Sequence, residues 1–196
     1  FYRVLLYNML TAYENCRKAC AAGAREGFVL AFKEIDIRQV AQSAVKLIND
    51  DWALVTAGDA NGWNTMTISW GGIGELWGRD VFYLVVRPQR YTHEFLLKHG
   101  CFTISMFDGG FKKEMSFCGS RSGRDVDKAR ETGLAPVFDS GFVYLEQAQT
   151  VLLCKILAVQ KLDPAGFLDE SIEQNYSSGD YHTVFVGEIV KTLKKI

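Results

Sequence analysis

Between Trp52 and Arg87 the chain carries apolar runs parted by turn sequences, with no helix of crossover length between them. Antiparallel strands join through tight turns, whereas parallel strands need a connection of a dozen or more residues. That spacing is the strongest constraint on the fold. WALVTAG (52–58) is rich in strand formers, and DANG (59–62) is a strong turn signal. WNTMTISW (63–70) alternates with period two, GGIGELWGRD (71–80) reads as a glycine-rich turn, and VFYLVVR (81–87) reads as a buried strand.

The pattern continues downstream. YTHEFLLKHG (91–100) predicts a helix closed by Gly100, and CFTISMF (101–107) predicts another strand. GGFKKEMSFCG (109–119) and DVDKARETG (125–133) predict short helices. GFVYLEQAQTVLLCKILAVQKLD (141–163) is too dense in apolar and β-branched residues for a surface helix and predicts a long strand run. DYHTVFVGEIVKTL (180–193) predicts the last strand. Upstream, IDIRQVAQSAVKLI (35–48) puts Val40, Ala44, Leu47 and Ile48 on one helical face. The fold class is mainly β with helices: an antiparallel sheet closed into a barrel. The alternative is a doubly wound parallel sheet. The organisation expected is an N-terminal extension over 1–31, helical or mobile, followed by one domain over 32–196.

With 196 residues, 48% of them hydrophobic, and a net charge of −1, the chain builds a real core but carries no global field. Nucleic acid and acidic membrane surfaces are therefore not expected partners, and any anion site must be local. Five cysteines without a C-x-x-C pair predict reduced thiols in a cytoplasmic protein. No apolar run nears the ~20 residues of a membrane helix, and FYRVLLYNML (1–10) lacks the long apolar core of a signal peptide.

Several chemistries find no support. Gly72-x-Gly74 is not followed by a glycine three residues on, so no dinucleotide fingerprint forms. His93, His99 and His182 have no ligand-spaced partners, so no metal is expected. No G-x-S-x-G occurs, and Ser116 and Cys118 have no histidine close in sequence.

Three polar clusters fall at strand ends instead. Asn64, Thr65, Thr67 and Ser69 lie on a short strand ended by Trp70. RPQRYT (87–92) follows a buried strand and opens a helix, so the free N–H groups near Thr92, with Arg87 and Arg90, suit a phosphate. Within FCGSRSGRDVDKARETG (117–133), Ser120 to Arg124 precede a helix that Asp125 is placed to cap, with Lys128 one turn in. The plain alternatives are a solvated strand face and solvated helix starts. Two anion-receptive helix starts point to a phosphorylated ligand. Trp63, Trp70, Trp77 and Tyr91 nearby suit a flat ring.

Taken in order, NTMTISWGG, VVRPQRYTHEFL, FCGSRSGRDVDK and DYHTVFVGEIV resemble the flavin reductase-like family, in particular its flavoredoxin-like members, from about Phe32 to the C-terminus. The resemblance implies a Greek-key-like split β-barrel that binds FMN non-covalently, usually at or near a homodimer interface. It implies that Asn64 and the backbone around Met66 and Thr67 contact the isoalloxazine ring, with Trp70 near the flavin. Arg87, Arg90 and Thr92 would lie near the ribityl phosphate. Lys128 matches the family lysine that approaches the phosphate, with Ser122 as a companion, and His182 matches a histidine near the ring. The implied activity is hydride transfer to flavin from NADH or NADPH as a transient co-substrate, with His182 steering a proton or the nicotinamide amide. A hydrogen-bonded strand histidine is the other reading of that position. The alternative function is a non-enzymatic FMN electron-transfer carrier, and an electron-acceptor protein is a further partner either way.

Overall fold

A computed structural model of the chain describes residues 31–196 together with Leu10, Thr11 and Glu14. The expected extension over 1–31 lies, apart from those residues and Ala31, outside the described residues.

Ten strands form. β1 (Phe32–Ile35) precedes β2 (Ala53–Asp59), β3 (Gly62–Ile68), β4 (Gly71–Leu76) and β5 (Arg79–Val86). Helix α1 (Tyr91–His99) leads into β6 (Cys101–Met106), and α2 (Lys112–Ser120) and α3 (Lys128–Thr132) follow. A hairpin of β7 (Pro136–Asp139) and β8 (Phe142–Leu145) comes before the long strands β9 (Thr150–Lys161) and β10 (Thr183–Lys195).

The main sheet runs β3-β2-β6-β9-β10-β5-β4, with every neighbour antiparallel. Its two ends, β3 and β4, are consecutive in the chain and joined only by Ser69 and Trp70. Two residues span a few ångströms, so the sheet must curl until its ends meet. The result is a barrel with a seam between β3 and β4, as the turn spacing predicts. β10 pairs with β9 along nearly its whole length, while its other edge meets β5 through Thr183–Glu188 and β1 through Thr192–Lys195. Register shifts at Val186/Gly187 and Ile189/Lys191 mark where the strand bends from one neighbour to the other. A Cβ at Gly187 would come within 2.6 Å of the Phe102 ring, so this bend requires glycine.

The strands β2, β6 and β9 bury both faces. Val55, Ile104 and Leu152 enter the barrel interior with Phe82, Phe102 and Phe185. Their neighbours Leu54, Val151 and Leu153 face a second core made with α2 and the β7–β8 hairpin, around Met115, Phe142 and Tyr144. Burial on two faces removes the polar alternation of a half-exposed strand. That explains why the 141–163 run reads as continuously apolar; the structure divides it into β8 and β9.

Two local expectations change. The helix expected over 35–48 is reduced to a 3₁₀ turn at Ile37–Gln39 and a π-type turn at Lys46–Asp50. Asp36 and Gln39 close the first turn as a reciprocal capping box, and Val40 then adopts an extended conformation. Leu47 and Ile48 still reach the barrel core. The glycine-rich stretch expected as a turn is strand β4 itself, with the turn confined to Trp77 and Gly78. Gly71 has φ +129°, and a Cβ there would lie 2.4 Å from the Tyr83 carbonyl oxygen. The edge strand therefore approaches β5 in a way only glycine permits.

Candidate functional site

The ends of β3, β5 and β10 and the start of α1 converge at the seam on a cleft of about 450 Å3, within the usual range for small-molecule sites. Met66, Thr67 and Trp70 come from the end of β3 and the link to β4. Arg87 follows β5, Arg90 is the N-cap of α1, and His182 immediately precedes β10.

Among the described residues, β3 has β2 on one edge and no strand on the other. The Thr65 carbonyl points to that free edge, where it accepts from Lys128 Nζ at 2.7 Å. By the alternation of an antiparallel ladder, the main-chain N–H and C=O of Thr67 face the same way. The Thr67 hydroxyl donates to the Met115 carbonyl of α2. The side chain is thus tied to the helix while the backbone faces the cleft. Gly119 stands against Thr67 so closely that a Cβ would lie 3.2 Å from the threonine Cβ.

The two arginines differ in their surroundings. Arg87 Nη1 donates to Asp180 Oδ2 at 2.5 Å and Nη2 to the Asn175 carbonyl at 2.8 Å, so its charge is met within the protein. Arg90 Nη1 donates to the Gly119 carbonyl at 2.9 Å, and among the described residues it forms no ion pair. Burial, and then the neighbouring charge of Arg87, push the Arg90 guanidinium below its ordinary pKa. The α1 N-terminus that Arg90 opens has no side-chain cap.

Lys128 is buried, and its Nζ donates to the carbonyls of Thr65 and Cys118, both at 2.7 Å. Burial brings its pKa down to about 8, with the Arg90 charge adding to the lowering and Cys118 opposing it. Arg90 and Lys128 thus repel one another, and among the described residues neither forms an ion pair.

His182 forms the aromatic wall with Trp70, their ring centroids 5.1 Å apart and tilted 45°. Its Nδ1 lies 2.9 Å from the Tyr176 hydroxyl. Burial, followed by the charge of Arg87, brings the imidazole pKa down to about 4, so the ring is neutral at pH 7. Trp70 is 46% exposed, which is high for so large an apolar ring.

The other candidates lie close by but outside this cleft. Asn64 and Lys128 border a second hollow, of about 660 Å3, farther along β3. Thr92 is fully buried, and its hydroxyl accepts from Asn64 Nδ2 at 2.7 Å. Ser122 Oγ accepts from the Arg124 N–H at 3.2 Å. The expected cap of α3 moves by two residues: Asp127, not Asp125, accepts from the Arg130 N–H, which makes Lys128 the first helical residue. Trp77 sits at the β4–β5 turn and lines neither hollow, while Trp63 lines the second. Tyr176, Asp180 and Gln89 join the site without having been singled out from the sequence; Gln89 Nε2 donates to Asp180 at 2.5 Å. Among the described residues no cluster of histidine, cysteine and carboxylates suits a metal ion.

Strand order and seam define the class, a split β-barrel with a cleft where the barrel opens. Solved structures of the same fold include an FMN-binding domain of a flavin reductases-like enzyme from Shewanella baltica, 17% identical with TM-score 0.60 over 84% of this chain and 77% of that one. A flavoredoxin from Methanosarcina acetivorans is 19% identical, with TM-score 0.56 over 82% and 74%. An NADH:FAD oxidoreductase of Streptomyces globisporus, in complex with NAD and FAD fragments, is 19% identical, with TM-score 0.55 over 74% of each. At these identities the likeness is one of fold. No curated protein sequence matches the chain. The flavin reductase like domain matches residues 47–194, and the chain belongs to the flavin reductase-like family.

Proposed function

We propose that the protein binds FMN non-covalently at the seam and acts as an NAD(P)H-dependent flavin oxidoreductase. The observation that carries this reading is Arg90, a cation without a carboxylate partner among the described residues, in a cleft walled by Trp70 and His182, with Lys128, likewise without one, at the neighbouring hollow. The donor set fits a flat heterocycle with a phosphate tail. Arg90, the uncapped start of α1 and Lys128 would receive the phosphate. Trp70, Met66 and the free backbone edge at Thr67 would receive the ring.

Bound flavin supplies the hydride-accepting chemistry, and the protein supplies position and electrostatics. The backbone donor at Thr67 and the neutral ring of His182 offer polar groups that need no reorganisation as charge develops. The Arg87–Asp180 pair holds the segment before β10 against the end of β5, which keeps His182 at the cleft mouth. The open outer side leaves space for a nicotinamide ring to lie over the site, and supports NADH or NADPH as a transient co-substrate. The edges of β3 and β4, unpaired among the described residues, and the exposed Trp70 and Trp77 support a homodimer. Cys118 and Cys154 are buried thiols in the apolar core, which supports a reducing, cytoplasmic setting.

The test is an absorbance spectrum of the purified protein with FMN, before and after NADH or NADPH without oxygen. A yellow protein bleached within seconds is expected. A colourless protein that takes up no FMN removes the reading. A yellow protein that reacts slowly with both nicotinamides makes it an electron carrier instead.

A further inference from the structure

Tyr176 lies in a 3₁₀ segment, Glu170–Tyr176, in the connection from β9 to β10. Nothing in the strand pattern singles it out, yet it is buried and packed on every side. Arg87 lies over its ring at 5.2 Å, Tyr181 packs at 4.9 Å, Phe167 stacks at 6.0 Å, and His182 meets it edge-on at 5.5 Å. Its hydroxyl has one hydrogen-bonding partner among the described residues, His182 Nδ1 at 2.9 Å.

We infer that Tyr176 is a positioning residue: its O–H donates to His182 Nδ1, so the imidazole carries its proton on Nε2 and presents a fixed N–H donor to the cleft beside Trp70. The number of protons the two buried groups can share decides the tautomer. A phenol has one proton to give. If Nδ1 carried the imidazole proton, it would donate to the phenol oxygen, and the phenol proton would be left buried without an acceptor. That arrangement costs more than the hydrogen bond returns. The reverse arrangement satisfies both groups. Nε2 has no protein partner among the described residues, while His182 lines the cleft. The charged groups facing the ring are Arg87, Asp180 and Arg90, and the two arginines favour the uncharged form.

A fixed N–H donor selects an acceptor, an oxygen or ring nitrogen of the bound heterocycle that becomes more negative on reduction. This consequence rests on the proposed flavin reduction; the tautomer itself does not.

The test begins with the full chain without flavin, by long-range proton–nitrogen correlation of 15N-labelled histidine. The expected spectrum shows His182 Nδ1 at the shift of an unprotonated nitrogen and Nε2 at that of a protonated one. The opposite assignment, or a protonated ring at pH 7, overturns the inference. In Tyr176→Phe the two nitrogens should move toward averaged shifts. An unchanged tautomer in a folded Tyr176→Phe protein also overturns it. With FMN bound, Tyr176→Phe should slow reduction by NADH about 10-fold, with FMN affinity changed less than about 3-fold. In a His182→Gln background the same substitution should cost nothing further, whereas additive losses would show a merely structural tyrosine. A protein that binds no flavin but shows the Nε2–H form leaves this assignment standing and removes only the reductase reading.

Discussion

The amide of Asn64 and the hydroxyl of Thr92, 28 residues apart in the chain, meet at 2.7 Å in a place closed to water. The bond fastens the start of α1 to β3 and fixes the side chain that borders the second hollow. Thr92→Val keeps the shape and removes the acceptor, which leaves a buried amide N–H without a partner. The expected loss is about 1–3 kcal/mol of unfolding free energy, read as a lower urea midpoint at unchanged slope.

Arg90→Ala should weaken FMN by about 1–3 kcal/mol, as loss of a charge-assisted contact does. Riboflavin, which lacks the phosphate, should lose less than about 3-fold. Fluorescence titration of both ligands checks this. Equal losses on the two would mean that the phosphate lies elsewhere.

Acid should destabilise the protein through His182. Burial brings the folded ring down to about 4, below the ordinary 6.5 of a histidine. Between those values the unfolded chain takes up a proton that the folded protein refuses, so stability present above pH 6.5 is lost on the way down to pH 4. His182→Gln should flatten that part of the curve, measured as the difference in urea midpoint between pH 7 and pH 4.5.

Lys128 predicts an effect at the alkaline end. Its folded pKa of about 8 lies below the ordinary 10.5. In that window the unfolded chain holds the extra proton, so this group makes the flavin-free protein more stable as pH rises. Cys118, raised by burial to about 11, acts in the opposite direction above pH 9. The measurement is therefore the difference between wild type and Lys128→Met, which should grow in favour of wild type between pH 8 and 10.

Gly123→Ala should disturb the site directly. A Cβ there would fall 2.0 Å from Asn64 Oδ1, and Asn64 is held in place by Thr92. The cost should be about 1–3 kcal/mol of overpacking, seen as a lower Tm, together with weaker FMN binding. An unchanged melting curve would show that the loop moves freely away from β3.

The strand pattern is legible in the sequence wherever burial is one-sided or turn chemistry is explicit: DANG before β3, and Gly100 at φ +67° closing α1. β4 is not, because Gly71, Gly72 and Gly74 belong to a strand whose ladder needs only backbone. Among the site residues, Met66, Thr67, Trp70, Arg87, Arg90 and His182 are gathered in one cleft by strand ends that the pattern already locates. What it does not show is where polar side chains turn. Lys128 points into two carbonyls, and Arg87, unlike Arg90, meets Asp180 from a distant loop. Tyr176 carries no periodic signal, since a 3₁₀ connection has none to offer.

The position of β10 also bears on how the molecule comes to exist. The last strand of this sheet in chain order is the one that joins β9 to both β5 and β1. Until its residues leave the ribosome, β3-β2-β6-β9 and the β4–β5 hairpin are separate fragments with raw edges. Closure must wait until β10 has emerged, and the nascent chain carries its aggregation hazard until then.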